Sequence, residues 1–385
     1  MIAVLFGTFN AKHAANVLLA EDLRRAGVEV RTCHQPLWEE TRDKHASYFA
    51  PAALVGLALR WMTAMGRLTL RFGPIASGAG LVVAGFNGQL DVLLARILAR
   101  GRRVLFAPLV TITETLVDDR AQYAADSLLG RLFAAVDRMS LRAADVVLVD
   151  TRAHGDYLTT RLAVPADRVV VQYLGAENEF APLESSPLGS QAGSRLRVLG
   201  YGSYLPLHGY DVIARAAKLL SPDEGIHFEL IGDGPERART DPLVEDLPHV
   251  KMRDWVPYED LPAEIRKADV VLGIFGSSVK AQMVVPNKVY QAAQVGRAIV
   301  TADTPAIREV FQPGESIVAI EPDPAAVVDA LRSLATDRDR REALGTAARA
   351  AVARLAGPDV RAARLADALG LPTPGDGSGI RGAAS

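Results

Sequence analysis

The chain of 385 residues has one cysteine, no long apolar run and almost no net charge. Cys33 alone provides neither an intramolecular disulfide nor a cysteine metal cluster, which fits a reducing compartment. No run of 18 apolar residues occurs, so we expect no membrane-spanning helix. The first ten residues lack the basic segment and the length of a signal peptide. Together these absences favour a cytoplasmic protein.

Two further absences concern ligands. The formal charge of −2 argues against electrostatic binding of nucleic acid. The seven histidines have no HxxxH spacing, and the one DxD string, at 337–339, stands where a late helix begins. We therefore predict a helix cap there, no metal site and no cofactor.

Apolar runs of strand length alternate with helical stretches along the whole chain. In the first half the predicted strands are 2–6, 28–33, 81–86, 103–108 and 145–150, with helices at 11–26, 52–72, 88–100, 123–143 and 151–163. In the second half the predicted strands are 196–202, 226–232, 249–255, 269–276, 297–301 and 316–320. Continuous apolar strands between helices predict parallel sheets covered on both faces. The predicted fold class is α/β, with two doubly wound, Rossmann-like domains facing each other across a cleft.

Composition suggests where these domains begin and end. A Ser/Gly/Pro-rich segment at 184–195 has no hydrophobic periodicity and predicts a linker. We expect a first domain at 1–183, a second at 196–355, and a terminal helix at 356–370 that packs back on the first domain. The Gly- and Ser-rich tail, 371–385, is predicted to be disordered.

One predicted helix carries an unexpected polar pair. In PNKVYQAAQVG, Asn287 is the predicted N-cap and Gly296 the residue that ends the helix. Lys288 and Gln291 are three residues apart and share one face near the N-terminus, where backbone N–H groups point outward. With Lys280 in the preceding loop, this arrangement suits a diphosphate.

The order of motifs in the second half resembles the donor domain of family-4 glycosyltransferases, which have the GT-B fold. The motifs, in order, are SYLPLHGYD, FELIGDGPE, VKMRDWVPYEDLPAEIRKADVVLGIF and PNKVYQAAQVGRAIVTADTPAIRE. In the first half, the glycine loop at residue 7 and YLGAENEFAP at 173–182 are consistent with the same family. The amino-acid sequences of these motifs resemble those of a bacterial subgroup of glycosyltransferases whose substrate is undefined.

This resemblance implies sugar transfer from a nucleotide-diphosphate sugar to a glycan, lipid-linked or small-molecule acceptor, with retention and without a metal. The first domain would hold the acceptor and the second the donor. The expected catalytic or acceptor-orienting residues are Glu114, Asp118 and His154, whereas Asp119 and Arg120 are equally well read as a surface ion pair. The expected donor-binding residues are Gly7, Thr8, Gly202, Ser203, His208, Gly232, Gly234, Val256, Lys280, Asn287, Lys288, Val289 and Gln291.

The sequence departs from the family pattern at four positions. Ser203 and His208 stand where many members have an arginine and a lysine on the donor phosphates, and the family's paired glutamates fall on Met283 and Gln291. Gln291 can still hydrogen-bond a ribose hydroxyl, but Met283 cannot replace a carboxylate. Two alternatives stay open: a nucleotide-sugar epimerase on the same fold, and a noncatalytic partner in a glycan-assembly complex.

A basic, apolar segment in the first half raises the question of a membrane surface. No Asp or Glu occurs from Lys44 to Leu90. Arg60, Arg67 and Arg71 lie on one stripe of the predicted helix 52–72, with apolar residues around them. This pattern fits either a helix on an anionic bilayer or a core helix with three exposed arginines, so we expect a cytoplasmic protein that is peripheral at the inner membrane face if the first interpretation holds.

Overall fold

The computed structural model describes residues 1–37, 51–181 and 195–372. Residues 184–194 of the predicted linker and the tail from residue 373 lie outside these ranges. The predictions of a linker and of a disordered tail therefore concern residues that the structure does not describe. Within the described residues the secondary structure forms two separate sheets.

The first sheet has six parallel strands in the order β2–β1–β3–β4–β5–β6. These strands are β1 (Ile2–Gly7), β2 (Glu29–His34), β3 (Leu81–Ala84), β4 (Arg103–Phe106), β5 (Val146–Val149) and β6 (Val169–Val171). The helices between them are α1 (Ala14–Arg25), α2 (Pro51–Ile75), α3 (Gln89–Ala99), α4 (Leu128–Ala143) and α5 (Arg152–Arg161), and a π-helical turn covers Glu114–Asp119. The inner strands β3 and β5 are buried at every position, as expected for strands covered by helices on both faces.

The second sheet is also six-stranded and parallel, in the order β12–β11–β10–β7–β8–β9. Its strands are β7 (Leu196–Tyr201), β8 (Ile226–Ile231), β9 (Val250–Arg253), β10 (Val270–Leu272), β11 (Ala298–Ala302) and β12 (Val318–Ile320). Its helices are α6 (Tyr210–Leu219), α7 (Arg237–Thr240), α8 (Leu261–Lys267), α9 (Val279–Met283), α10 (Asn287–Val295), α11 (Pro305–Val310), α12 (Pro324–Thr336), α13 (Arg338–Ala356) and α14 (Pro358–Ala368).

The predicted α/β class with two parallel sheets is confirmed. Each of the eleven predicted strands overlaps an observed one, and β6 was not predicted because it is a three-residue, half-buried edge strand. The sequence also overestimates strand length at 269–276, where only Val270–Leu272 pairs and the apolar residues that follow turn into the loop.

Helix ends follow the sequence with one correction. Gly296 ends α10 in the left-handed conformation, with φ of 86°, and its N–H donates to the carbonyls of Ala292 and Ala293. Asn287 is not the N-cap: Pro286 is extended and caps the helix, so Asn287 is the first helical residue. Asp337, in the DxD string, caps α13 as predicted by accepting the N–H of Arg340 at 2.8 Å.

The last helix returns to the first sheet. Helix α14 packs against α1, and its apolar residues join the core beneath β1. A buried ion pair fixes this contact, since Arg361 Nε lies 2.9 Å from Asp22 Oδ2 and both side chains are almost fully buried. Gln172, which follows β6, donates to the same carboxylate at 3.0 Å. The chain segment leaving the first domain and the helix returning to it are therefore both tied to α1.

We predict that Asp22→Ala will lower the free energy of unfolding by about 3–5 kcal/mol, because it leaves the Arg361 guanidinium buried without a counter-charge. Chemical denaturation measures this change. The matched control is Asp359→Ala, which breaks the exposed Arg25–Asp359 pair on the same two helices and should cost about 1 kcal/mol or less. Equal effects of the two substitutions would contradict a dominant role for the buried pair.

Candidate functional site

Loops at the carboxyl ends of the two sheets meet at the junction between the domains. In parallel α/β sheets this edge is where ligands bind. Helix α9 of the second domain packs against both the π-helical turn and α5 of the first domain, and α11 also contacts α5. The candidate residues therefore fall into a second-domain group around α10 and a junction group around α5.

Three donor-site candidates converge after β7. Gly202 has φ of 141°, and a Cβ there would lie 3.0 Å from Cε1 of His208 and 3.2 Å from Nζ of Lys288. Glycine is thus required by both its conformation and the lack of space. The result is a backbone turn that brings an imidazole and an ammonium group together at the end of the strand.

Lys288 is buried without a counter-charge. Its side chain is 6% exposed, and Nζ lies 5.5 Å from the ring centroid of Tyr210 and 5.8 Å from that of Tyr201. No ion pair or hydrogen bond of Nζ occurs among the residues that the structure describes. Burial lowers the pKa of Lys288 to about 7. An ammonium group in such a place is a binding partner for an anion.

His208 is the neutral neighbour of this lysine. Burial, followed by the charges of Lys288 and Lys280, lowers the pKa of His208 well below its ordinary value. Its Nδ1 is buried and has no hydrogen-bond partner within the described ranges. The imidazole can therefore offer a ligand a hydrogen bond but not a positive charge.

Gly232 and Gly234 shape this turn rather than leave a space beside it. A Cβ at Gly232 would lie 2.0 Å from the carbonyl oxygen of Gly202, and one at Gly234 would lie 1.8 Å from that of Ser203. Both glycines have positive φ. The loop after β8 consequently packs backbone to backbone on the loop after β7 and supports it.

Gln291, which the sequence predicts to hydrogen-bond a ribose hydroxyl, is already bonded to protein groups. It is 2% exposed, its Oε1 accepts from the Tyr201 hydroxyl at 2.9 Å, and its Nε2 donates to the Tyr258 oxygen at 2.8 Å. Tyr258 in turn donates to Glu177 at 2.6 Å. The amide is thus held in a protein network, and a ribose would have to replace one of these partners.

The remaining residues of α10 and its surroundings have mixed positions. Val289 is fully buried in the core of the second domain, and Val256 packs partly against the same core. Asn287 is half-buried at the start of the helix. Met283, at the position of the absent glutamate, is buried with apolar residues of the first domain. The site of the absent carboxylate is therefore apolar.

His154 is the centre of the junction group. It is the third residue of α5, whose N-cap, Thr151, accepts the N–H of His154 at 3.0 Å. Its Nδ1 lies 2.8 Å from Asp150 Oδ1 and its Nε2 lies 3.1 Å from Glu114 Oε2. Burial alone would lower the pKa of His154, but Glu114 and Asp150 raise it to about 10. The imidazole is therefore an imidazolium at neutral pH.

Glu114 provides the opposite charge. It is fully buried, and Oε2 accepts the Thr111 N–H at 3.0 Å. Burial would raise its pKa, yet the charges of His154 and then Lys280 give a net lowering. Lys280 comes from α9, its Nζ lying 3.7 Å from Glu114 Oε1 and donating to Thr115 at 3.1 Å. Two of the three catalytic candidates and one donor-site candidate thus form one charged cluster, covered by the second domain.

The other acidic candidates also have protein partners. Asp118 is half-buried and accepts from the Tyr157 hydroxyl at 2.6 Å. Asp119 is buried and accepts from Ser278 of the second domain at 2.5 Å, so it is not a surface residue. Both lie on the π-helical turn, a conformation that is frequent at functional sites.

The first glycine loop has no room for a ligand where the sequence suggested one. A Cβ at Gly7 would lie 2.3 Å from Oδ2 of Asp91, and the Thr8 N–H donates to the same oxygen at 2.7 Å. Burial raises the pKa of Asp91 to about 6, against the effect of its bonds to Thr8. The glycine is needed here for a carboxylate of the chain itself. Asp91 lies in an apolar helix, and its neighbours in sequence gave no indication of this contact.

Sequence reasoning missed Tyr201, which bonds Gln291 in the second domain, and Glu309 at the junction. It placed Asp150 and Thr151 at the start of the helix that carries His154, because they directly follow β5, but it assigned them no role. Glu309 is on α11 of the second domain, and no local pattern links it to α5. No group of three or more potential metal ligands clusters in the described part of the chain.

The comparisons with known proteins concern the family and the fold. Residues 212–367, less than half of the chain, match the family profile described as glycosyl transferase-like. No curated protein matches the chain in sequence.

Solved structures define the class of fold. HepE of Anabaena, in a crystal structure in complex with UDP, is 13% identical, has a TM-score of 0.66 and is aligned over 96% of this chain and 99% of its own. Sucrose-phosphate synthase of Thermosynechococcus elongatus is 16% identical, has a TM-score of 0.70 and is aligned over 95% and 97%. WaaG, a glycosyltransferase involved in lipopolysaccharide biosynthesis, is 14% identical, with a TM-score of 0.63 and coverage of 94% and 98%. The chain has the GT-B fold.

We predict that Lys288→Met will stabilise the protein. The pKa of Lys288 is about 7 when folded, against an ordinary value of 10.5, so folding opposes its protonation. Methionine has a similar shape and no charge, and should raise the free energy of unfolding by about 2 kcal/mol at neutral pH. Because the lysine loses its proton in the unfolded chain at high pH, this gain should shrink as the pH rises above 7 and vanish above 10.5.

Denaturant titrations at several pH values measure this effect. Lys218→Met, at an exposed lysine on α6, is the control and should change stability little at any pH. A loss of stability in Lys288→Met would mean that a protein group holds the ammonium.

Proposed function

We propose that the protein is a glycosyltransferase that moves a sugar from a nucleotide-diphosphate sugar to a hydroxyl of a glycan, lipid-linked or small-molecule acceptor. The observation that carries this proposal is the buried Lys288, unpaired within the described residues, beside Gly202 and His208 at the strand ends of a GT-B fold. The crystal structures of Anabaena HepE are in complex with UDP, UDP and glucose, or UDP-glucose. UDP is therefore the first nucleotide to test.

The second domain provides what a departing diphosphate needs. Lys288 is the second residue of α10, so its ammonium and the outward N–H groups of the first turn act on the same anion. The His208 imidazole adds a neutral hydrogen-bonding group. Many family members hold the donor phosphates with an arginine and a lysine at the positions of Ser203 and His208. In this proposal Lys288, the N–H groups of α10 and the His208 imidazole bind the phosphates instead. In this proposal the transfer retains the configuration at the anomeric carbon of the sugar and uses no metal.

The proposed reaction exchanges one bond at the anomeric carbon for another. The bond from this carbon to the diphosphate oxygen breaks, and its electron pair leaves with the nucleoside diphosphate. The acceptor oxygen bonds to the same carbon, and its proton passes to the departing phosphate oxygen. Lys288 stabilises the negative charge that develops on the diphosphate.

His154 acts in this scheme through its charge. Glu114 and Asp150 raise its pKa to about 10, which favours the protonated imidazolium at neutral pH and does not suit a general base. Together with Lys280 it offsets the negative charge of Glu114 at the junction. A direct role on substrate would require α9 to move, because His154 and Glu114 are both fully buried beneath it.

The two alternatives are less well supported. An epimerase would need carboxylates free to reach the sugar, whereas Glu114, Asp118 and Asp91 are all engaged by protein groups. A noncatalytic partner is favoured by Met283, whose surroundings are apolar. Incubation with a panel of nucleotide sugars, with and without acceptors, distinguishes these functions through the release of nucleoside diphosphate.

We predict that UDP-glucose binding will weaken as the pH rises above 7. Lys288 has to be protonated to pair with the diphosphate, and its pKa in the free protein is about 7. The affinity should fall by up to about tenfold per pH unit above that value, because binding then takes up a proton. His208 stays neutral throughout this range and adds nothing to the pH dependence of the affinity.

Calorimetric titrations between about pH 6 and pH 9 test this prediction, and the same assay applies to any nucleotide sugar that raises the melting temperature. Lys288→Ala should lose most of the binding. Lys288→Arg, which keeps its charge, should remove the pH dependence. An affinity that does not vary with pH in the native protein would place the diphosphate away from Lys288.

We further propose that the first domain rests on an anionic membrane surface. Helix α2 buries Leu68 and Phe72 in the core, but its other face exposes Leu70 at 83% together with Arg67 and Arg71. The two interpretations of this segment are thus compatible, since one face is core and the other is basic and apolar. None of the described helices is long and apolar enough to cross a bilayer.

Helix α4 adds an inverted amphipathic face. Its buried side is polar: Asp137 accepts the Thr113 N–H at 2.7 Å and Ser140 donates to the Gln89 carbonyl at 2.5 Å. Its solvent side is apolar, with Leu128 at 85% exposure and Leu132 also exposed. Helix α3, which packs between α2 and α4, exposes Ile97 at 74%. An outward apolar surface bordered by arginines suits acidic lipid headgroups.

We predict that replacing Leu128 and Leu132 together by Ser will reduce binding to vesicles of phosphatidylcholine and phosphatidylglycerol at least about tenfold. The reason is that partial insertion of the two exposed leucines into the membrane contributes about 1–2 kcal/mol or more to binding. Cosedimentation measures the partition coefficient. The control is Leu219→Ser, an exposed leucine of the second domain, which should bind like the native protein. Equal binding of all three proteins, or no binding by the native one, would exclude α4 from the membrane contact.

A further inference from the structure

Glu309 makes an unusual contact across the domain junction. Its two carboxylate oxygens accept the backbone N–H groups of Arg152 at 2.7 Å and Ala153 at 2.8 Å. The Tyr173 hydroxyl donates to one of the same oxygens at 3.2 Å. Glu309 is on α11 of the second sheet, whereas the three donors belong to α5 and to the segment after β6.

The first turn of α5 depends on this contact. The first N–H groups of a helix have no partner within the helix and are normally capped by a nearby side chain. Thr151 caps only the N–H of His154, and Glu309 takes the N–H groups of the two residues between them. Thr151 also donates to the Met283 carbonyl of the second domain. This helix start is therefore completed by groups from the other domain.

Glu309 contributes nothing comparable to its own helix. Helix α11 is capped by Thr304, which accepts the Ile307 N–H at 3.2 Å, and the adjacent Arg308 pairs with Asp303. All the hydrogen bonds of the Glu309 carboxylate found in the described ranges go to the first domain. A carboxylate at a helix N-terminus is also favoured by the helix dipole.

We propose that Glu309 is a positioning residue that fixes the first turn of α5 when the two domains are together, and thereby aligns the His154 ring between Asp150 and Glu114. His154 is only one residue beyond the two capped positions. A shift of this turn would move its imidazole away from two carboxylates that lie about 3 Å away. The alignment of the charged cluster thus depends on contact between the two domains. The effect of Glu309 on the reaction rate rests on the proposed glycosyl transfer, whereas its effect on the position of the His154 ring does not.

The test compares Glu309→Ala and Glu309→Gln with the native protein. The glutamine oxygen can still accept one of the two N–H groups, so this variant should recover part of the effect. Glu315→Ala is the matched control, because Glu315 is an exposed glutamate six residues away with no side-chain partner in the described part of the chain. The ring 15N signals of His154, assigned by their loss in His154→Asn, report its position directly.

We expect Glu309→Ala to shift or broaden the His154 signals and to leave those of the buried His249 unchanged. In turnover assays kcat should fall about tenfold or more while the donor KM changes by less than about twofold, since the donor groups on α10 are not altered. Glu309→Gln should lie between Glu309→Ala and the native protein, and Glu315→Ala should match the native protein.

Native His154 signals in Glu309→Ala would overturn the proposal, as would equal changes in Glu315→Ala. If Glu309→Ala does not fold, Glu309→Gln decides by the same signals. If the native protein turns over no nucleotide sugar, the proposed function fails, while the ring signals still decide the role of Glu309.

Discussion

Charged side chains buried between the two domains must find opposite charges or helix ends, and this requirement organises the junction. His154 lies between two carboxylates, Glu114 is offset by Lys280 from the opposite domain, and Glu309 is held by the N-terminus of α5. Removing either domain would leave several of these groups without partners, at a cost of a few kcal/mol each. The domains are therefore held together by the mutual compensation of charged groups as well as by apolar contact.

Lys288 is the exception to this rule. Its charge is buried near tyrosine rings and has no counter-charge among the described residues, so it reduces stability, unlike the compensated charges of the junction. A buried lysine whose pKa is strongly lowered is a candidate for a functional group, and this supports the proposed diphosphate site. The polar residues near it are arranged differently: Gln291 is held by two tyrosines, and the glycines of the adjacent loops hold the backbone in place.

The elements of the fold could be read from the sequence because buried parallel strands are continuous apolar runs. The same reasoning predicted the helix that carries Lys288, the helix that carries His154, and the loop after β4 that carries Glu114. It failed where a role depends on space or on distant contacts. Gly7 was expected to admit a ligand, but Asp91 from another helix fills that space. The bonds of Gln291 to Tyr201 and Tyr258 were not predicted, because both tyrosines are far from it in the chain. The role of Glu309 depends wholly on how the domains meet.

The return of α14 to the first domain has a consequence for how the molecule comes apart. The chain passes between the two domains twice, once in the segment that leads out of β6 and once in the helix whose Arg361 is bound to Asp22. A cut in the chain between residues 181 and 195 would sever only the first of these. Two fragments would then remain associated through α1 and α14, because α14 would stay covalently attached to the second-domain fragment while it packs on the first.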